Sequence, residues 1–265
     1  FGAAELRATD AAHRDLRAGA LEITRPLARR ADVAPGGGVH YAEHDVLRFF
    51  DDDDARVERI GGWLGADWRS PGGRHIASLQ WTIEQVNGAL IDGTSTGPTL
   101  RWTETPPYPH VVGVPEEIDA GIRFGEVAYA RIHARGALAR SVGRLAVALV
   151  ADVAAADADA PADALFALGD TDALPWLDTG ELRGARRAIV GVDVAYPIFL
   201  DGAVRVRARA GGIADDIDDL GDDSAWRTGA EVGAIWPTSF GALAGGFAFG
   251  ERGDTRFTIE LGSAF

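Results

Sequence analysis

The chain has 265 residues, 46% of them apolar, and carries a formal net charge of −14. That length fits one large β domain spanning residues 1–265, and the acidic balance excludes a nucleic-acid surface, which needs a basic stripe to displace counterions. Cysteine is absent, which excludes disulfide frameworks, thiolate metal sites and cysteine nucleophiles, and no run of about 18 apolar residues offers a transmembrane helix. Any crossing of a membrane is therefore expected to be made by strands. Methionine is absent even at position 1, and the chain opens at Phe1 without a charged-then-apolar leader, so it is expected to begin inside a domain.

In chain order, residues 1–8, 15–25, 37–48 and 56–67 read as strands, with the acidic run Asp51–Asp54 between the last two. Over 74–87 the alternation is clearer: His75, Ala77, Leu79, Trp81 and Ile83 oppose Arg74, Ser78, Gln80, Thr82 and Glu84. Residues 88–119 read as one long connection and residues 120–135 as one strand, with Glu126 standing as a charge on its apolar side. Leu145, Val147, Leu149, Ala151 and Val153 share a face of the next strand, and a long acidic loop follows over 155–183.

The last third alternates most regularly. Ala188, Val190, Val192, Val194, Tyr196 and Ile198 oppose Arg187, Gly191, Asp193 and Ala195, and Val204, Val206 and Ala208 oppose Arg205, Arg207 and Arg209. After an acidic loop at 214–224, Trp226, Thr228, Ala230, Val232, Ala234 and Trp236 face away from Arg227, Gly229, Glu231 and Gly233. At about 3.3 Å per residue and a tilt near 40°, the two indoles lie on the order of 25 Å apart, the height of an outer-membrane apolar band between its aromatic girdles. Residues 241–250 are glycine-rich, and Phe257, Ile259, Leu261 and Phe265 close the chain at alternate positions. Twelve strands result.

Each strand has a dry side and a charged side, which periodicity alone assigns either to a soluble sandwich or to a barrel wall between lumen and lipid. The connections favour the barrel, because short turns near Asp201-Gly202 and Pro237-Thr238-Ser239 alternate with long acidic loops. Counting back from a periplasmic end of the chain puts Asp51–Asp54, the 88–119 connection, the 155–183 loop and the 215–223 run on the outer side. Solvated loops are the ordinary meaning of such runs; divalent cations shared with lipopolysaccharide phosphates are the sharper one. The lumen-facing Arg205, Arg207 and Arg209, beside Arg227 and Glu231, either pair structurally or tune anion passage.

No catalytic constellation stands out. His75 and Ser78 fall on opposite faces of a strand, and His40 and His44 have a helical spacing in a Gly- and Tyr-containing strand or loop context. The Gly241 to Gly250 segment has no helix after it to form a phosphate loop. Neither an enzyme nor a cofactor or metal site is expected.

Several motifs together resemble the bacterial surface-antigen superfamily of outer-membrane β-barrels, the BamA/TamA type, over residues 56–265. Asp67-Trp68-Arg69-Ser70-Pro71-Gly72-Gly73 before a strand resembles that family's Asp-x-Arg, Pro-x-x-Gly turn, with three strands then expected before the long loop and five after it. Leu168-Gly169-Asp170 resembles its Leu-Gly-Gly, Leu182-Arg183-Gly184 its closing turn, and Val194-Ala195-Tyr196-Pro197 the end of its Glu-Tyr-Arg-Phe-Pro strand, with Asp193 in place of Glu. The alternating residues up to Phe265 resemble its carboxy-terminal assembly signal.

The resemblance implies an all-β, transmembrane antiparallel up-and-down β-barrel in the bacterial outer membrane, with twelve of sixteen strands in this chain. It implies protein assembly or translocation, with outer-membrane lipid, lipopolysaccharide, the barrel assembly machinery and unfolded client proteins as partners. The alternatives are a membrane anchor for a patatin-like phospholipase or other enzyme domain, and a passive pore. One departure stands in the loop: Leu174-Pro175-Trp176 occupies the place of the family's Val/Leu-Arg-Gly-Phe/Tyr, whose Arg reaches an acid inside the barrel. The pair that holds the loop is then expected to be lost unless Arg183 supplies it, leaving Asp193 to find another arginine such as Arg207 or to face water.

Overall fold

The computed structural model describes residues 5–13, 16–24, 33–47, 54–71, 74–88, 92–104, 116–169, 174–177, 182–198, 202–238 and 241–261. In chain order the strands are β1 (Glu5–His13), β2 (Leu16–Thr24), β3 (Val33–Leu47), β4 (Asp54–Arg69), β5 (His75–Gly88), β6 (Asp92–Glu104), β7 (Glu116–Gly125) and β8 (Tyr129–Val142). They continue as β9 (Leu145–Ala156), β10 (Phe166–Ala167), β11 (Arg183–Gly184), β12 (Arg186–Pro197), β13 (Ala203–Ala214), β14 (Trp226–Thr238), β15 (Gly241–Gly250) and β16 (Thr255–Leu261). Fourteen of them make one antiparallel sheet in sequence order, while β10 and β11 pair with each other inside the connection that joins β9 to β12. The sheet is an up-and-down wall whose first and last strands, β1 and β16, are not hydrogen-bonded to one another among the described residues.

The wall has two chemically opposite faces. On one, Leu138 is 79% exposed, Leu64 74% and Ile259 67%; on the other, Asp193 and Glu231 are each 2% exposed and Arg209 4%. Soluble proteins show the reverse, with charges outside and aliphatic side chains within. An apolar surface that runs over strand after strand is stable only against hydrocarbon, and the charged face then lines a lumen. A sheet suits that solvent because each strand's N–H and C=O groups are satisfied by its neighbours. No helix of the described residues is long and apolar enough to cross a membrane.

Local chemistry sets the turns. Val142 pairs with Leu145 across a two-residue hairpin loop in which Gly143 adopts φ 63°, the positive dihedral that tight hairpins require. At the β4–β5 turn, Ser70 N–H donates to the carbonyl of His75 at 2.9 Å and His75 N–H returns a bond to the Ser70 hydroxyl at 3.0 Å.

Five expectations are corrected. The main sheet has fourteen strands, not twelve, because residues 88–119 are not one connection: β6 lies within them. Its polar sequence, Thr94-Ser95-Thr96 followed by Gly97-Pro98, masks the alternation. Residues 120–135 are not one strand either; β7 ends at Gly125 and β8 starts at Tyr129, so Glu126 lies in a turn and not on an apolar face. There its carboxylate accepts from the N–H (2.9 Å) and hydroxyl (3.2 Å) of Thr94, bonds that hold it below the usual carboxylate range. Five strands, β5 to β9, therefore separate the Asp67-containing turn from the long loop, instead of three, while five follow it as expected.

Connections alternate between the two ends of the wall. The end that carries the β9–β12 connection also carries Glu126, the run from Asp215 to Asp223, and Glu251 and Asp254, whereas Arg74 and Arg144 sit in turns at the other. Asp51, Asp52 and Asp53 lie outside the described residues.

Leu149, at the middle of β9 on the apolar face, discriminates lipid from water. Its replacement by Arg is expected to weaken folding into lipid vesicles by about 2–4 kcal/mol, the midplane cost of a cation. Guanidinium titration followed by tryptophan fluorescence measures this, and an unchanged midpoint would mean that Leu149 faces water.

Candidate functional site

Asp152 and Arg187 open the lumen network. They are cross-strand diagonal neighbours on β9 and β12, and the guanidinium donates to both carboxylate oxygens at 2.8 and 2.9 Å. His133 Nε2 lies 3.2 Å from the same carboxylate. Farther along the wall, Asp193 meets Arg209 at 2.5 Å, and Glu231 meets Arg207 at 2.6 Å and Arg205 at 3.5 Å. The partner of Asp193 is thus Arg209 and not Arg207, although Arg207 stands opposite Asp193 in the strand register. Arg207 turns instead toward Glu231, its register partner on the other side. Arg227, at the loop end of β14, donates to the carbonyls of Ser224 and Trp226 at 2.8 and 2.7 Å.

Residues between β9 and β12 fold back against this charged face. Leu165, Phe166, Leu168, Leu174, Trp176 and Leu177 are buried, as are Gly169, Pro175 and Gly184. Glycines in the wall make room for them: a Cβ on Gly229 or on Gly250 would come within 2.7 Å of the Trp176 ring, and one on Gly211 within 2.9 Å of Leu174. The backbone of the segment is held by wall arginines, since Arg187 donates to the carbonyl of Ala167 at 2.8 Å and Arg256 to that of Leu177 at 2.6 Å. Arg183 donates within the segment, to the carbonyl of Leu165 at 3.3 Å.

The segment is also tethered by charge. Asp163, in the 3₁₀ turn Ala162–Ala164, receives two bonds from Arg59 on β4, Nη2 donating to Oδ1 at 2.9 Å and Nε to Oδ2. Arg59 also donates to Glu84 on β5 at 2.6 Å. A charge pair of a kind that was not expected thus tethers the segment: it is bidentate, with the cation on the wall and the anion on the inserted segment. Because β4 and β16 both contact the segment, the sheet must curl around it.

The remaining expected positions are more dispersed. Trp226 and Trp236 stand near opposite ends of β14; the Trp226 indole donates to the carbonyl of Leu220 at 2.9 Å, and that of Trp236 packs against Gly202. Phe257 and Ile259 are exposed on the apolar face of β16, Leu261 ends that strand, and Phe265 lies outside the described residues. Among the described residues no group of three or more His, Asp or Glu is placed to hold a metal ion. Sequence inspection missed Arg59 and Asp163, which are 104 positions apart, and no local signal connects them.

Arg59→Ala leaves two buried carboxylates without their shared cation. Loss of about 3–5 kcal/mol in the docking of the inserted segment is expected. Protease cleavage within residues 157–185 should accelerate accordingly, and the exchanged pair Arg59→Asp with Asp163→Arg should recover part of the protection; unchanged cleavage in Arg59→Ala would show that apolar packing alone holds the segment.

No protein-family profile matches the chain, and no curated protein matches it. Solved structures do. The crystal structure of BamA from Haemophilus ducreyi lacking POTRA domains 1–3 superposes with a TM-score of 0.71 at 13% identity, covering 97% of this chain and 63% of that one. CdiB from Acinetobacter baumannii superposes with a TM-score of 0.57 at 14% identity, covering 93% of this chain and 50% of that one. The chain thus spans less than two thirds of the length of either structure. Its fold is that of the BamA/TamA-type outer-membrane β-barrels.

Proposed function

We propose that this protein works in the bacterial outer membrane as a surface-antigen-type barrel that assists the assembly or translocation of other proteins. The observation that carries this reading is the segment between β9 and β12, folded into the lumen and pinned at Arg59, Arg187 and Arg256. A lumen filled by Leu168, Leu174 and Trp176 suits a passive pore poorly. In this reading Leu168, Gly169, Leu174, Pro175, Trp176, Arg183 and Gly184 form the lumen segment, and Asp193, Arg205, Arg207, Arg209, Arg227 and Glu231 the wall against which it seats. Clients are unfolded outer-membrane or secreted chains, which pair with strand edges at the seam between β1 and β16, the two strands that are not hydrogen-bonded to one another among the described residues. Phe257, Ile259, Leu261 and Phe265 serve as the signal by which the assembly machinery receives this barrel, and Trp226 and Trp236 anchor it at the two interfaces with lipid and lipopolysaccharide.

A urea-unfolded eight-stranded barrel protein, diluted into vesicles containing the intact protein, is expected to become protease-resistant several-fold faster than in empty vesicles. Equal rates would contradict an assembly role; a client that appears inside the vesicles without inserting would assign the activity to translocation.

A further inference from the structure

The lipid-facing wall is not smooth. A groove of about 420 Å³ crosses it over β5 to β12, within the range of about 300–1,000 Å³ that ligand sites occupy. Its floor is made by small side chains, Pro98, Ala120, Ala130 and Ala155, and its flanks by Leu100, Ile122 and Ile132. These residues share the outward parity of their strands, and Leu100, Ile122 and Ile132 are among the exposed hydrophobics.

The groove follows the register of the sheet. Leu79 pairs with Leu100, Leu100 with Ala120, Ala120 with Ile132, Ile132 with Ala155, and Ala155 with Arg186. Because barrel strands tilt by about 35–45°, such a row runs obliquely to the membrane normal. It starts at Leu79, well inside β5, and ends at Arg186, the first residue of β12 and therefore at the rim. The floor also overlies a flaw in the wall: the β6–β7 ladder is interrupted at Gly97-Pro98, where proline supplies no N–H. Arg123 fills the flaw from the lumen side, donating to the carbonyls of Gly97 (3.3 Å), Pro98 (3.1 Å) and Ile122 (3.3 Å).

Arg186 sets the charge at the rim. Its guanidinium donates to the carbonyls of Ala156 and Ala185 and meets no carboxylate among the described residues. Asp157 also lines this end of the groove, its Oδ2 accepting from the N–H of Ala130 at 2.7 Å. A cation at the rim and an oblique apolar channel descending from it complement one kind of molecule, an acylated lipid with an anionic phosphate headgroup. We propose that this groove is a specific lipid site, with one acyl chain lying over Pro98, Ala120, Ala130 and Ala155 and the phosphate on Arg186.

The site rests on the lipid-facing assignment of the wall. The test adds phosphatidylglycerol or phosphatidylcholine to the delipidated intact protein in detergent and counts retained lipids by native mass spectrometry. The protein should keep one phosphatidylglycerol with about a tenfold preference over phosphatidylcholine, the worth of one charge-assisted hydrogen bond. Ala120→Phe should abolish retention, Arg186→Gln should erase the preference, and Ala151→Phe, an equal addition on the same face of β9 outside the groove, should behave as the parent. Retention by Ala120→Phe equal to that of the parent, equal loss in Ala151→Phe, or an undiminished preference in Arg186→Gln would overturn the site. Insertion of the parent into vesicles is measured alongside: insertion without selective retention sinks the groove alone, whereas failure to insert sinks the lipid-facing assignment and the groove with it.

Discussion

The structure depends on one constraint: a wall a single strand thick must satisfy two solvents at once. Backbone donors and acceptors within the bilayer have to be met inside the protein, almost all of them by a neighbouring strand, which is why the sheet runs in sequence order from β1 to β16 with only β10 and β11 set apart. Side chains then alternate between hydrocarbon and lumen with a period of two, so that Val206 is exposed to one medium while Arg205 and Arg207 are buried in the other. The excess of acidic residues does not disturb this arrangement, because much of it lies in the connections at one end.

A charged lumen creates a second requirement. Buried carboxylates and guanidinium groups are tolerated only when paired, and the described wall meets this by cross-strand ion pairs: Asp152 with Arg187, Asp193 with Arg209, Glu231 with Arg207. These pairs make a polar surface on which an inserted segment can be seated by backbone bonds, with apolar side chains filling the space that wall glycines leave. Arg59 and Asp163 complete the seating from the opposite wall. Although Leu174-Pro175-Trp176 departs from the motif, the segment keeps a charged, bidentate tether, with the cation on the wall and the anion on the segment.

Much of the wall was legible in the sequence because its rule is local. The alternation from Trp226 to Trp236, the arginine ladder on β13 and the dry face of β12 each follow from residue i and residue i+2. β6 was not legible, since Thr94, Ser95, Thr96 and Gly97 give neither face an apolar signature and Pro98 argues against an interior strand. The division of β7 from β8 was missed because Gly125-Glu126-Val127-Ala128 holds only one turn-forming residue. Partner choice in the lumen lay beyond the sequence for a different reason: Asp193 has Arg207 directly opposite it, yet the diagonal Arg209 reaches it while Glu231 claims Arg207. Long, flexible guanidinium stems let diagonal neighbours compete with direct ones.

The central claim is that alternate residues of each strand contact lipid hydrocarbon. The chain contains no cysteine, so single spin labels can be placed along β9 without background. Labels at Leu149→Cys, Ala151→Cys and Val153→Cys are compared with labels at Val150→Cys, Asp152→Cys and Ala154→Cys in vesicles, by collision with oxygen and with a water-soluble nickel complex. The account predicts high oxygen and low nickel accessibility at the first set alone, giving a period of two. Nickel accessibility at Leu149 and Val153 equal to that of a soluble surface would contradict it.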